Sequence, residues 1–557
     1  MVEPNLTSYD TACRSFSWAE AEAALGLGNK LNIAQAAVDI NCERGLRDKV
    51  ALRFYDGTRE QAFTFGELKV LSDRFALVLV RGNVRAGDRV VLFGRSSPEF
   101  YISLLGVIKA GAVAVPIFEG YMAEALNEII QDSGAVALVT TAALKNRVNR
   151  KASPHLKQMF VIGPLAAETP AGEANWHKVV AEATGDLEVA LVDRESPFAL
   201  LYTSGSTGKP KGVILPHGGL VQYYQTGRWV MDFHAEDTAW CTADLGWVTG
   251  ITYGALSPWL NGVTTAVYAG GFGPEGWYGF IQRFRVTVWY TTPSAFRLLM
   301  AGGEKITKRF DFSSLRHILS VGEALNPAII RWTRGVFGID ACDTWFMTET
   351  GAQMVANFRC LPLKPGSMGK PVPGIQVAVL NSKGQELGPL EMGQLAVKPP
   401  WPAMMRGIWK DEDKYAEYFR DAWYLSGDLV YRDREGYYWY QGRADDIIKV
   451  GERRVGPFEV ESKLMEHPAI LEAGVIGKAD FLQGESIKAF LVLRPGHRWS
   501  PKLQEQLQAH IDGSLAEHMV PKEFEVCTSL PYTRTGKLLR RVLKAREIGL
   551  PETGADE

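Results

Sequence analysis

From about Val50 to Val321, short apolar runs alternate with stretches of helical periodicity: RVVLFGR (89–95), AVAVPIF (112–118), AVALVTT (135–141), ALLYTSG (199–205), TTAVYAG (264–270), TVWYTTP (287–293) and LRHILSVG (315–322). Runs spaced this widely predict βα units, that is, parallel sheets covered by helices. The longest apolar segment, Ile102 to Phe118, carries Lys109 and falls short of a membrane span of ~20 residues. It predicts a buried helix running into a buried strand. Between Lys364 and Tyr440 the texture changes to short strands punctuated by Pro and Gly, which predicts an antiparallel or barrel-like subdomain. After GRADD (442–446) a second compact α/β pattern begins, with helix then strand in EVESKLMEHPAILEAGVIG, a strand in AFLVLRP and an amphipathic helix in PKLQEQLQAHIDGSLAEHM. The boundary is placed at Gly442–Asp446, giving units of 1–442 and 446–557.

The 557 residues fit two to four core-bearing units, and 46% hydrophobic with 22% charged residues is an ordinary globular balance. With 61 Lys+Arg against 63 Asp+Glu, the formal net charge of -2 provides no global field for nucleic acid or an anionic membrane. Eleven aromatics lie between Trp409 and Tyr440, but that stretch has five basic and eight acidic residues, so they read as packed core rather than base-stacking surface. The six cysteines contain no C-x-x-C pair, which argues against a disulfide framework or a thiolate zinc site. MVEPNLTSYD has no basic n-region followed by an apolar stretch, and the expectation is a cytoplasmic protein.

The most informative segment is Thr203-Ser204-Gly205-Ser206-Thr207-Gly208-Lys209-Pro210-Lys211-Gly212, directly after the apolar FALLY. Three glycines free the backbone N–H groups to turn inward, four hydroxyls add neutral donors and two lysines add charge, the components of a polyphosphate cradle. It is not a Walker A loop. Thr203 stands where the first glycine is required, and Lys209 is followed by Pro210 instead of a hydroxyl residue that could hold magnesium.

TSGSTGKPKG resembles the phosphate-loop signature of the acyl-adenylate-forming superfamily, which includes acyl-CoA synthetases, peptide-synthetase adenylation domains and luciferases. TADLGWVTG (242–250), SVGEALN (320–326), DTWFMTETG (343–351), PGSMGKPVPG (365–374), YLSGDLVYRDREGYYWYQGRADDII (424–448) and PYTRTGKLLRR (531–541) follow in the expected order and extend the resemblance over most of the chain. Within the superfamily the sequence is similar to the acetyl-CoA synthetases. The resemblance implies a large N-terminal domain of two helix-covered sheets plus a small β-barrel-like subdomain, followed by a small mobile α/β domain. It also implies a two-step reaction: a carboxylate and ATP form an acyl-adenylate and pyrophosphate, and coenzyme A then displaces AMP. A peptide-synthetase adenylation unit would usually be followed by a carrier domain, so with 20 residues after Lys537 the expectation is a ligase instead.

A carboxylate attacking an α-phosphate joins two anions, so positioned cations and donors should carry the catalysis. The resemblance assigns Thr203 to Lys211 to the β- and γ-phosphates and Lys537 to the bridge between carboxylate and phosphate. On composition alone, Lys537 would be one of six basic residues on a tail free of acids between 534 and 546. Glu349 is the expected Mg2+ ligand, with Thr348 beside it as a phosphate-contacting hydroxyl. Gly322, Glu323 and Ala324, with Asp343, Thr344, Trp345, Phe346 and Met347, match the stretches around the adenine. Asp428 matches the carboxylate that holds both ribose hydroxyls, Arg443 and Arg454 match nucleotide contacts, and Asp445 falls at the hinge (443–446) about which the small domain rotates.

The resemblance lines the acyl pocket with Trp247, Val248, Thr249, Val321 and Phe346. Acetate enzymes typically carry a second tryptophan at the Phe346 position. The smaller ring predicts a deeper floor, so acetate has propionate or a short branched acid as a competitor. The coenzyme A path also departs from the family. Counted without gaps, Glu452 occupies the position of a glycine that lets pantetheine pass. If the loop slips by one, Gly451 and Arg453 serve as the motif pair. The cluster Lys145, Arg147, Arg150 and Lys151 reads as a solvated helix face in preference to a receptor for the 3′-phosphate of coenzyme A. The family lysine is often regulated by acylation, which implies a lysine acyltransferase and deacetylase acting on Lys537.

Overall fold

The strands Arg89–Phe93 and Val113–Ile117 are buried at nearly every position, as strands covered on both faces should be. With Ala137–Thr141, Gln158–Ile162, Glu173–Asn175 and Pro197–Thr203 they form the parallel part of a seven-stranded sheet, and Lys211–Pro216 closes one edge antiparallel to Pro197–Thr203. This computed structural model describes residues 2–165, 170–203, 210–451, 453–480, 484–512, 514–532 and 538–548.

A second sheet has nine strands. Val50–Tyr55, Thr264–Tyr268, Thr238–Cys241, Val288–Thr291, His317–Ser320 and Ala341–Trp345 run parallel through its centre, and antiparallel strands flank them at both edges. The helix Pro98–Lys109 is buried along its whole length. Lys109, the charge inside the longest apolar segment, is enclosed there with its Nζ 2.6 Å from Asp39 and 2.7 Å from Asp73. A buried ammonium is tolerable only when paired in this way.

The segment expected to be antiparallel forms a third sheet, in which Val377–Leu380, Gly393–Val397, Trp423–Arg432, Phe419–Arg420 and Tyr438–Arg443 all pair antiparallel. Its aromatics are core: Tyr424 and Tyr438 are buried, and Tyr431 stacks on Trp439 with ring centroids 6.0 Å apart.

The strand Tyr438–Arg443 ends the third sheet, and Ile448–Val450 begins a fourth with Arg453–Val455, Ile470–Asp480, Gly484–Leu493 and Glu523–Val526. The helices Pro457–Met465, Pro501–Asp512 and Arg540–Glu547 accompany this sheet. The helix expected to continue through Met519 stops at Asp512, where the apolar face of Leu503, Leu507 and Ile511 runs out. All six cysteines are free thiols. Among the described residues no helix is long and apolar enough to cross a membrane.

Candidate active site

Thr203 and Lys211 are cross-strand partners at the open end of an antiparallel pair, so the Gly- and Ser-rich segment connects two neighbouring strands. A Walker loop leads from a strand into a helix, and Pro210 is compatible with a lead into an edge strand. The hydroxyl of Thr203 is buried and has no hydrogen-bond partner among the described residues. Ser204, Gly205, Ser206, Thr207, Gly208 and Lys209 lie outside those residues, as do Glu452 and Lys537.

Glu349 reaches this hairpin from the loop that follows the strand Ala341–Trp345. The loop is closed by Thr350, whose hydroxyl accepts from the Met347 N–H at 2.9 Å and donates to the Met347 carbonyl at 3.0 Å. Gly351 has φ +75, and a Cβ there would lie 2.0 Å from the Ala403 carbonyl oxygen. The turn can therefore press onto the 401–405 segment. Trp401 Nε1 donates to the Thr350 carbonyl at 2.8 Å, and the Met405 N–H to the Glu349 carbonyl at 3.0 Å.

The Glu349 carboxylate is buried, with Lys211 Nζ 3.7 Å from its Oε1. Tyr418 stands between them, its hydroxyl donating to Glu349 Oε1 at 2.8 Å and accepting from Lys211. Lys211 Nζ also lies 5.0 Å from the centroid of the Tyr418 ring, which stacks on Tyr424 at 5.8 Å. Burial pushes the Lys211 ammonium down from its usual range, and Glu349 pulls against that shift. Burial and the neighbouring carboxylate push the Tyr418 phenol up, so Tyr418 keeps its proton. Thr348, next to Glu349, is part-exposed. Sequence reasoning passed over Tyr418 because it sat among the eleven aromatics assigned to core.

Among the described residues no group of three or more His, Cys, Asp or Glu could hold a metal ion. The one buried carboxylate at the hairpin fits Mg2+, an ion that commonly takes one or two carboxylates and completes its shell with water and substrate phosphates.

Asp428 and Arg443 face each other across neighbouring strands, Arg443 Nη1 lying 3.1 Å from Asp428 Oδ1. Gly427, at φ +77, leaves room beside the guanidinium, where a Cβ would meet Arg443 Nη2 at 2.7 Å. The other Asp428 oxygen accepts from Trp345 Nε1 at 2.8 Å. Trp345 thus orients the expected ribose carboxylate, a role sequence reasoning did not give it. Asp343 is buried, accepts from the Leu325 N–H at 3.3 Å and the Thr344 N–H at 3.0 Å, and is pushed up to about 8 by burial. Thr344 donates to the Ser320 carbonyl at 2.8 Å. Gly322 (φ +92) begins the Gly322-Glu323-Ala324 stretch, where Glu323 accepts from Arg297 at 2.8 Å and also from Ser294. The Met347 thioether Sδ accepts from the Tyr424 hydroxyl at 3.6 Å.

Val248 and Thr249 open a helical segment that continues through Leu256. Val248, Thr249, Val321 and Phe346 are all buried, whereas Trp247 is part-exposed beside Phe118, with rings 6.3 Å apart. Tyr253 lies one helical turn beyond Thr249 and packs edge-on to Phe346 at 5.5 Å and 77°. Its hydroxyl accepts from the Gln353 N–H at 2.9 Å and lies 2.9 Å from Thr226 Oγ1, which donates to the Gln222 carbonyl at 2.7 Å.

Asp445 is largely exposed, with its Oδ1 3.6 Å from Arg443 Nε. Val450 pairs with Arg453 across neighbouring antiparallel strands, and Gly451 has φ +61. Arg453 is bonded to His518 at 2.8 Å, and Arg454 is exposed. Only Lys145–Arg147 of the basic cluster at 145–151 lie on a helix, a single 3-10 turn, and the cluster is not a solvated face. Lys145 pairs with Glu173 at 2.9 Å, Arg147 donates to the Glu119 and Tyr121 carbonyls, and Arg150 to the Ala171 carbonyl. Those three cations are satisfied within the fold.

Two family models match: the AMP-binding enzyme family over residues 39–409 and the AMP-binding enzyme C-terminal domain over 459–537. The acetyl-coenzyme A synthetase of Bacillus subtilis is 49% identical over 551 residues, 98% of this chain and 96% of that protein. The acetyl-coenzyme A synthetase of Deinococcus radiodurans is 37% identical, covering 97% of this chain and 87% of that protein. Among solved structures, an anthranilate CoA ligase in complex with anthranoyl-AMP superposes with a TM-score of 0.87 at 28% identity, covering 96% of this chain and 99% of that one. An acyl-CoA synthetase of Brucella canis gives 0.77 at 33% identity, covering 98% and 99%. These solved ligases share the α/β layout of a large N-terminal and a smaller C-terminal domain. With a family model spanning most of its length and close relatives along nearly all of it, the chain belongs to the AMP-binding enzyme family, in the branch of the acetyl-coenzyme A synthetases.

Proposed function

We propose that this chain is an acid–thiol ligase of the AMP-forming type that converts acetate, ATP and coenzyme A to acetyl-CoA, AMP and pyrophosphate. The observation that carries the reading is the approach of Lys211, at the end of the Gly- and Ser-rich hairpin, to the buried Glu349 at 3.7 Å. A cation and a hard oxygen ligand side by side suit a triphosphate and its Mg2+.

In the first step a carboxylate oxygen of the acid attacks the α-phosphorus, and the bond to the β-phosphate oxygen breaks to release pyrophosphate. Lys211 and the 203–209 segment hold the departing phosphates, Thr348 adds a hydroxyl, and Lys537 bridges carboxylate and phosphate. Glu349 would hold Mg2+, which when bound neutralises phosphate charge. Asp428 and Arg443, set by Trp345, take the ribose, and Asp343 lies at the adenine edge with the 322–324 stretch. In the second step the thiol of coenzyme A attacks the acyl carbon and AMP leaves with the oxygen gained from the acid.

Lys537 must approach the phosphate in the first step and a thiol the same carbonyl in the second, so the small domain rotates between them. Ion pairing supports a hinge at 443–446. Arg443 is bound to Asp428 of the third sheet, whereas Asp446 pairs with Arg540 of the C-terminal helix at 3.1 Å. Asp445 lies between the two attachments.

The reading places the enzyme in the cytoplasm, beside its pools of ATP and coenzyme A, with a lysine acyltransferase and deacetylase acting on Lys537. Acetylation would cancel that charge. Adenylation at an undiminished rate after acetylation of Lys537 would refute this control.

The test is AMP release with ATP, Mg2+ and coenzyme A across acetate, propionate, butyrate and isobutyrate. The reading expects acid-dependent AMP formation strongest with acetate. A propionate or isobutyrate optimum would support the competing reading, which rests on Phe346. ADP formation in place of AMP would defeat both.

A further inference from the structure

Replacing tryptophan with phenylalanine at the floor of an acid pocket should leave space for a longer chain. Here the volume beside Phe346 is not vacant. Tyr253 packs edge-on to that ring with centroids 5.5 Å apart, and it is fully buried while Phe346 retains 9% exposure. Tyr253 is therefore the deeper of the two.

The Tyr253 ring is also fixed in place. The Gln353 N–H donates to its hydroxyl at 2.9 Å; Thr226 Oγ1 lies 2.9 Å away and gives its own proton to the Gln222 carbonyl at 2.7 Å, which leaves it to accept the Tyr253 proton. The hydroxyl thus accepts one bond and donates one, all within buried surroundings. Swinging the ring away would strand a buried N–H and a buried oxygen. Tyr290 also packs edge-on to Tyr253 at 5.9 Å, with its hydroxyl 2.7 Å from Thr344 Oγ1 and accepting from Gln353 Nε2 at 3.2 Å. Gln353, four residues after Glu349, thereby holds both tyrosines through its backbone and its side chain.

We propose that Tyr253 is a specificity-determining residue: it backs Phe346, occupies the volume that a second tryptophan would fill, and limits the acid to a short unbranched chain. Tyr253 lies one turn beyond Thr249 on the same helical segment, so the side wall and the floor of the pocket are built from one element. The inference rests on the acid-ligase reading and on the pocket assigned to Val248, Thr249, Val321 and Phe346.

The test is the ratio of kcat/KM for butyrate to that for acetate, measured by AMP release for wild type, Tyr253→Val, Phe346→Trp and the double variant. Removing the ring opens room for one or two methylenes, each worth roughly 10- to 200-fold in discrimination, so Tyr253→Val should raise the ratio at least tenfold. Phe346→Trp alone should lose activity on every acid because the larger ring meets Tyr253, and adding Tyr253→Val should restore acetate activity. A Tyr253→Val enzyme that turns over acetate with an unchanged ratio overturns the proposal. So does a Phe346→Trp enzyme as active as wild type, a result that needs no folded Tyr253 variant. Wild type that forms no AMP from any acid would instead defeat the ligase reading itself.

Discussion

The hydroxyl of Tyr418 donates to Glu349 Oε1 at 2.8 Å and accepts from Lys211, so the buried carboxylate and the half-buried ammonium are joined through a phenol. Direct pairing alone would leave them 3.7 Å apart, too long for a hydrogen bond. Tyr418 keeps one oxygen of Glu349 oriented without neutralising it. Both charges thus remain available to a polyphosphate and its cation at a site already organised.

Tyr418→Phe keeps the stacked ring and removes the bridge. A hydrogen bond to a charged group contributes about 1.5–3 kcal/mol, so KM for Mg·ATP should rise about 10-fold or more with a smaller change in kcat. Pyrophosphate exchange at varied Mg·ATP measures this. An unchanged KM would remove Tyr418 from the nucleotide site.

Trp345→Phe takes away the indole N–H that holds Asp428 Oδ2 at 2.8 Å while keeping an aromatic ring. AMP binding, measured by titration calorimetry, should weaken about 10-fold, the effect of one lost bond to a charged acceptor. Retained affinity would show that Arg443 alone suffices to set the carboxylate.

Asp343 provides a pH test. Burial raises its carboxyl from near 3.8 to about 8, so the fold favours the protonated form. That stabilisation is complete below the unfolded value near 3.8 and is lost as pH rises through about 8. Wild type should therefore lose Tm between pH 5 and 9 more steeply than Asp343→Asn, which has no proton to release. Parallel Tm profiles would contradict the assignment.

Asp445→Pro and Arg540→Met separate motion from anchoring. Asp445 is largely exposed, so its replacement should spare stability, leave one half-reaction intact and impair the other. Arg540 is half-buried against Asp446 at 3.1 Å and the buried Glu461 at 2.7 Å, and leaving Glu461 unpaired should cost about 3 kcal/mol in urea unfolding. Equal loss of both half-reactions in Asp445→Pro would count against the hinge.

The alternation of apolar runs was sufficient to read the two large sheets, because each run is a strand buried on both faces. The residues proposed for the nucleotide could be picked out because their motifs are contiguous: Asp428 and Glu349 stand in segments that carry their own turn chemistry. Tyr418 and Tyr253 were not legible. Each acts through a partner far along the chain, Glu349 for one and Phe346 for the other, and nothing in an isolated tyrosine distinguishes a bridge or a pocket floor from core. The basic residues at 145–151 misled in the opposite direction, since a run of charge does not reveal that Lys145 is paired with Glu173 and that Arg147 and Arg150 cap backbone carbonyls.

In the proposed reaction the acid attacks the α-phosphorus of ATP and leaves one of its oxygens on AMP. Turnover of acetate labelled with 18O in both carboxyl oxygens, with ATP, Mg2+ and coenzyme A, tests this by mass spectrometry of the nucleotide. Attack at the α-phosphorus gives AMP carrying one labelled oxygen and unlabelled pyrophosphate. Unlabelled AMP, or label in inorganic phosphate, would contradict it.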